Sequence, residues 1–212
     1  DYFTFKDHGT IQVKGKSKPI SVFLIVSIKD LSIEHSSLFI GREKEIDLLS
    51  KAYKNTSNNL KINQYDKLPF IGVTAEAGIG KTRLIQEYLK TYKDIDFSIS
   101  HASNISSKPY YIFITLIKDI FKISEMDSLD KMKAKLEDGI KKLQKENKHL
   151  NKEIELAIPF IAFLIGIRYS DERLKDRDEI QNHLHISIKT LLHSVCNISN
   201  KKGLPYIIIL DD

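Results

Sequence analysis

Eight residues carry the spacing richest in chemistry: Ala75-Glu76-Ala77-Gly78-Ile79-Gly80-Lys81-Thr82. Two glycines, one directly ahead of Lys81, permit a tight turn that aims backbone N–H groups at an anion. A helix opening at Lys81 would add its positive N-terminal end. Lys81 can reach the β and γ phosphates of a nucleotide, and the Thr82 hydroxyl can ligate Mg²⁺. Arg83 leads into the helix-like run that ends at Leu89, and the apolar run Leu68–Thr74 ahead of the loop reads as a buried strand. The pattern asks for glycine where Ala75 stands, and alanine is its smallest replacement. A strand–turn–helix whose Gly-Lys-Thr is only a helix start is the plainer reading.

A second constellation closes the sequence. Tyr206-Ile-Ile-Ile-Leu210 is an aliphatic strand that delivers Asp211 and Asp212 to its C-terminal end. Ligands of open parallel sheets gather at those ends, so Asp211 is expected beside Thr82 as the second Mg²⁺ residue. Asp212 is the candidate catalytic base, orienting an attacking water. The alternative is a strand running into a polar turn. Elsewhere the seven histidines show no metal spacing, and His183 and His185, two apart, point to different faces of a helix. The single cysteine, Cys196, sits on an apolar helical stripe and reads as a core residue.

These residues need elements to hold them. Residues 1–28 read as three strands (Tyr2–Phe5, Ile11–Lys14, Ile20–Val26) joined by turns at Asp7-His-Gly9 and Gly15–Pro19, and 29–37 as a polar linker. An amphipathic helix follows Gly41-Arg42-Glu43, with Ile46, Leu48, Leu49, Ala52 and Tyr53 on one stripe, and 56–66 is loop-like. Asp94–His101 alternates as a strand with Ile95, Phe97 and Ile99 on the apolar side, and Pro109 suits the first turn of the helix after it. Three further helices are expected. One lies within 127–150, slightly weakened by Gly139. A second, over 154–167, is interrupted by Pro159 and is one buried helix or two short ones. The third, over 171–198, is striped by Ile180, Leu184, Ile188, Leu191 and Val195. The fold expected is α/β: a parallel sheet with helices and a large helical insert over 103–203.

Composition excludes some classes. Among 212 residues, 42% are hydrophobic and 29% charged, the balance of a globular protein. No apolar run reaches the roughly 20 residues of a membrane span, and no signal peptide is visible. One cysteine allows no disulfide framework, which fits a reducing, cytoplasmic setting. The net charge of +5 is spread among acids, as at Lys131, Lys133 and Lys135 beside Asp130, Glu137 and Asp138, so a solvated helix face accounts for it better than a nucleic-acid patch.

Several phrases resemble known families. Gly-Ile-Gly-Lys-Thr and Leu-Asp-Asp resemble the Walker A and Walker B motifs of P-loop NTPases. Leu38-Phe-Ile-Gly41-Arg42-Glu43-Lys-Glu45 resembles the segment that opens AAA-related and STAND signalling ATPases, which implies that the backbone at Ile40, Gly41 and Arg42 lies beside adenine. Val13-Lys14-Gly15-Lys16 with Pro19-Ile20-Ser-Val22-Phe23 resembles the C-terminal hairpin of class III nucleotide cyclases. In that order they resemble the junction in soluble adenylyl and guanylyl cyclases with a STAND-type ATPase after the catalytic domain. The resemblance implies a cyclase remnant over 1–28, and over 38–212 the N-terminal part of a P-loop NTPase ending after Walker B. It further implies ATP and Mg²⁺ as cofactors, an attached upstream cyclase domain as partner, and weak or no hydrolysis by the stretch alone. No cyclase site residue maps onto 1–28. A nucleotide-free scaffold for protein partners is the rival, resting on Ala75.

Overall fold

The computed structural model describes residues 3–16, 18–28, 38–61, 70–92, 94–102 and 109–211. The chain divides into two units, Asp1–Ile40 and Gly41–Asp212.

The first unit is one antiparallel hairpin of β1 (Phe3–Ile11) and β2 (Ile20–Ile28). Among the described residues two strands form here where three were expected. Asp7-His-Gly9 is not a turn between strands but an irregularity inside β1, where the register shifts between Asp7 and Thr10. Gly9 takes φ 84° and donates its N–H to Asp7 Oδ1 at 2.7 Å, so the chain bulges and continues. The hairpin turn lies at Val13–Lys16, closed by Lys16 N–H donating to Val13 O at 3.1 Å. Phe5 and Phe23 pack edge to face yet remain more than half exposed.

In the second unit, α1 (Glu43–Lys61) and α2 (Lys81–Thr91) pack side by side. Tyr88 joins them, its ring tilted against that of Tyr92 and its hydroxyl donating to Leu49 O at 3.5 Å; burial pushes that phenol's pKa up to about 12. Helix α1 runs on through Thr56–Lys61, a stretch expected as loop. Thr56 bonds back to Ala52 O at 2.9 Å, and Ser57 donates to Gly203 O at 2.9 Å, which anchors the final turns.

Strands β3 (Asp96–His101) and β4 (Tyr206–Asp211) pair in parallel, Asp96 opposite Tyr206 and His101 opposite Asp211. The phase of β3 differs from the expected alternation: Ser98 and Ser100 are buried while Phe97 is exposed. Hydrogen bonding explains this. Helix α3 (Tyr111–Ile120) lies against β3, and Ser100 Oγ bonds to Ile112 O at 2.7 Å and to Thr115 Oγ1 at 2.6 Å. Ser98 Oγ pairs with the hydroxyl of half-buried Tyr206 at 2.5 Å. The Asp119 carboxylate accepts from Ile99 N–H at 3.0 Å, so a side chain occupies a ladder position on the edge of β3. Pro109 lies in a turn ahead of α3 rather than in its first turn.

The expected strand ahead of the glycine loop does not form among the described residues. Residues 70–76 make no ladder, and Phe70 is 90% exposed. A strand exists only with a partner, and the described neighbour of β4 is β3. Leu68 and Pro69 lie outside the described residues, as do the linker 29–37 and residues 103–108.

Between β3 and β4 sits a helical module: α3, α4 (Leu129–Glu146), α5 (Asn151–Leu164) and α6 (Arg177–Lys201). Ser128 caps α4, and Asp176 caps α6 through the N–H groups of Asp178 and Glu179. Pro159 sits inside a single α5, whose neighbours Ala157, Phe160, Ile161 and Ala162 are all buried; tertiary burial outweighs the lost N–H. The core gathers Ile117 and Phe121 with Leu136, Ile140, Ile154, Ile161 and Leu191. Among the described residues no helix is long and apolar enough to cross a membrane.

Gly139 has a role its helix propensity hides. A Cβ there would stand 2.2 Å from Phe121 Cδ1. Gly139→Ala is expected to destabilise the fold by about 1–3 kcal/mol through overpacking, outweighing the ~1 kcal/mol that alanine gains in a helix. Urea unfolding of the variant beside the parent measures the sign.

The turn before α4 is pinned by charge. Asp127 bonds to Lys131, Lys135 and the Ser124 N–H, and these, Lys131 foremost, hold its carboxyl well below the usual range. Its folded-state pKa is depressed, so the stability it contributes is present above about pH 4 and is lost as pH falls through the folded value. Asp127→Asn should lower stability at pH 7 and flatten the acid limb of stability against pH, as read by denaturant melts across that range.

Candidate functional site

The glycine loop is exposed from Phe70 to Gly80 and turns into α2 at Lys81. Gly78 (φ 80°) and Gly80 (φ 97°) both take left-handed backbone, which a Cβ would strain. Ala75 is not among the residues of positive φ, so the place where the pattern asks for glycine makes no such demand here. Its carbonyl accepts from Lys81 Nζ at 3.2 Å, which folds the lysine back along the loop. Gly80 caps α2 without a side-chain hydrogen bond, and the first turn holds no acid. The N–H groups that Ser128 and Asp176 satisfy at other helices have no side-chain cap at this one. Glu76 and Ala77 stand at the exposed tip with Gly78, and Arg83 is half-buried in the first turn of α2.

Across from the loop, Gly41 (φ 80°) and Arg42 (φ 68°) form a left-handed pair ahead of α1. For arginine that backbone is costly. It is held by two bonds: Ile46 N–H donates to Arg42 O at 3.0 Å, and Arg42 Nη1 donates to Glu45 Oε1 at 2.9 Å. That guanidinium holds the Glu45 carboxyl below its usual value. A cleft of about 280 Å³ opens between the two segments. Leu48, Leu49, Ile71 and Leu84 give it apolar walls, while Lys81 and the ion-paired Arg42 and Glu45 bring charge to its lining. Apolar walls with a few polar groups suit a base and its phosphates.

The second half of the site comes from β4. Thr82 Oγ1 lies 3.1 Å from both Oδ1 and Oδ2 of Asp211. Hydroxyl and carboxylate are hard oxygen donors, and adjacent oxygens on an octahedral Mg²⁺ stand about 3.0 Å apart, so this donor set fits Mg²⁺. Asp212, the candidate base, lies outside the described residues. Among the described residues no group of three or more His, Cys, Asp or Glu gathers, so a cation here would need ligands from phosphate and water as well.

Two features of the site were not anticipated. Glu45 stands three residues after Arg42, a helical spacing that would have revealed the pair. His101 Nδ1 lies 3.6 Å from Asp211 Oδ2; only the strand register shows it, since His101 ends β3 opposite Asp211.

A family model for the AAA ATPase domain matches residues 38–212. No curated protein and no solved structure matched the chain. The chain belongs to the AAA ATPase domain family, a P-loop α/β fold that implies binding of ATP and, usually, Mg²⁺.

Proposed function

We propose that this chain is the nucleotide-responsive part of a cytoplasmic STAND-type signalling protein, in which ATP·Mg²⁺ regulates an attached class III nucleotide cyclase. The observation that carries the nucleotide part is the approach of Thr82 Oγ1 to both Asp211 oxygens at 3.1 Å, across 129 residues of sequence. A structural polar contact would serve as well anywhere on the surface. Here it sits one residue from Lys81 and at the C-terminal end of a parallel strand. In this reading residues 75–82 cradle the phosphates and Lys81 neutralises them. Thr82 and Asp211 hold the cation, Asp212 orients water, and the backbone at Gly41 and Arg42 borders the base. Bound Mg²⁺ would supply charge neutralisation at the phosphates.

The cyclase part rests on the hairpin. Phe5, Ile11, Phe23 and Leu24 are each at least half exposed on two strands. A two-stranded hairpin is marginal by itself, so these side chains call for a larger β structure around them. The domain division that follows is a cyclase-like C-terminal segment over 1–28, a linker over 29–37 and the NTPase part from 38 to 212.

Fluorescent ATP displaced by unlabelled ATP, with Mg²⁺ or with EDTA, tests the first part. Saturable, Mg²⁺-dependent binding is expected; no binding would leave the nucleotide-free scaffold as the better account. For the second part, a chain extended upstream should make cyclic nucleotide at a rate that ATP-site variants change. An extended chain with no cyclase activity would refute it.

A further inference from the structure

His101 brings an imidazole to the Thr82–Asp211 contact. It closes β3 opposite Asp211, and Ala102 N–H donates to Asp211 O at 2.7 Å, which clamps the two strand ends together. The Asp211 side chain is only 17% exposed, whereas that of His101 is 65% exposed. Two side chains thus approach the same carboxylate: Thr82 Oγ1 lies 3.1 Å from both of its oxygens, and His101 Nδ1 lies 3.6 Å from Oδ2. Neighbouring ligands of an octahedral ion with bonds near 2.1 Å lie about 3.0 Å apart. The threonine already meets that spacing. The histidine needs a shift of roughly 0.6 Å relative to it, which rotation of an exposed ring supplies.

We propose that His101 is a nitrogen ligand of the cation held by Thr82 and Asp211, and that the site therefore favours Mn²⁺ and Co²⁺ over Mg²⁺. The proposal rests on the nucleotide-site reading above. Mg²⁺ prefers an all-oxygen shell and keeps its waters, so it gains little from an imidazole. First-row transition ions accept mixed nitrogen and oxygen donors, with affinity rising from Mn²⁺ to Co²⁺. A histidine that only hydrogen-bonds Asp211 would orient the carboxylate without touching the metal, and it would leave no nitrogen signal on the ion.

The experiment labels the protein with ¹⁵N-histidine and adds Mn²⁺ with a non-hydrolysable ATP analogue. Electron spin-echo spectroscopy then reads the ¹⁵N coupling to Mn²⁺, whose size separates a nitrogen bonded to the ion from one a shell away, and only a coupling of the bonded size counts. A ¹⁵N coupling is expected in the parent and is lost in His101→Ala. Competition between Mn²⁺ and Mg²⁺ gives the second readout. The preference for Mn²⁺ should fall on the order of tenfold in the variant, the lower end of what even supporting partners of a ligand contribute. Bound nucleotide and Mn²⁺ without a ¹⁵N coupling, or a coupling that persists in His101→Ala, overturns the histidine ligand and leaves the nucleotide site standing. Failure of Mn²⁺ and nucleotide to bind the parent overturns both.

Discussion

Replacing Lys81 by alanine is expected to weaken ATP binding by about 2–3 kcal/mol, which corresponds to roughly 30- to 150-fold in affinity. The ammonium is a compact charge at the mouth of α2, where backbone N–H groups alone cannot neutralise a triphosphate. Its bond to the Ala75 carbonyl lies on the exposed loop, where losing a hydrogen bond to solvent-accessible groups should move the unfolding midpoint little. Affinity and stability therefore separate in this variant. Calorimetric titration with ATP·Mg²⁺ beside a thermal melt makes the test, and equal affinity in variant and parent would remove Lys81 from the site.

The second large effect concerns the helical module. Phe160 has no exposed surface and lies between two charged or polar neighbours. The His183 ring stacks on it at 4.9 Å, and the Arg173 guanidinium sits 5.0 Å over its centroid. Arg173 is itself held by Asp171 through bonds of 3.0 and 2.6 Å, and this pairing lowers the Asp171 carboxyl's pKa. Phe160→Ala removes a buried ring and takes the stacking surface from both neighbours. A loss of about 3–5 kcal/mol in unfolding free energy is expected, measured by urea titration. Phe160→Leu should recover much of it, because volume is partly restored while the ring contacts are not. If alanine and leucine were equally damaging, ring stacking rather than burial would dominate.

Much of the site was legible because its signals are local. Gly80-Lys81-Thr82 marks a helix start by residue type, and four aliphatics before Asp211 mark a strand end. Most of the misreadings come from partners distant in sequence. Phe70–Thr74 is apolar enough for a strand, but a strand is a pairing, and the described residues offer it none. Ser98 and Ser100 turn inward because Tyr206, Ile112 and Thr115 supply bonds that hydropathy cannot reveal. Thr56–Lys61 stays helical although its polar residues read as loop. Gly139 looked like a weak point in α4 and is instead the gap into which the Phe121 ring fits.

The pairing of β3 with β4 also has a kinetic consequence. The contact between Ser98 and Tyr206 spans 108 residues, and that between Thr82 and Asp211 spans 129. Closing such loops in an unstructured chain is entropically slow, whereas the turns and helices between them form from near neighbours. The helical module should therefore condense first and shorten the effective loop, and the carboxylate should arrive beside the threonine last. In refolding experiments, recovery of nucleotide binding should trail recovery of helical circular dichroism. Slowing the assembly of α4–α6 should delay the approach of Asp211 to Thr82, although neither residue belongs to those helices.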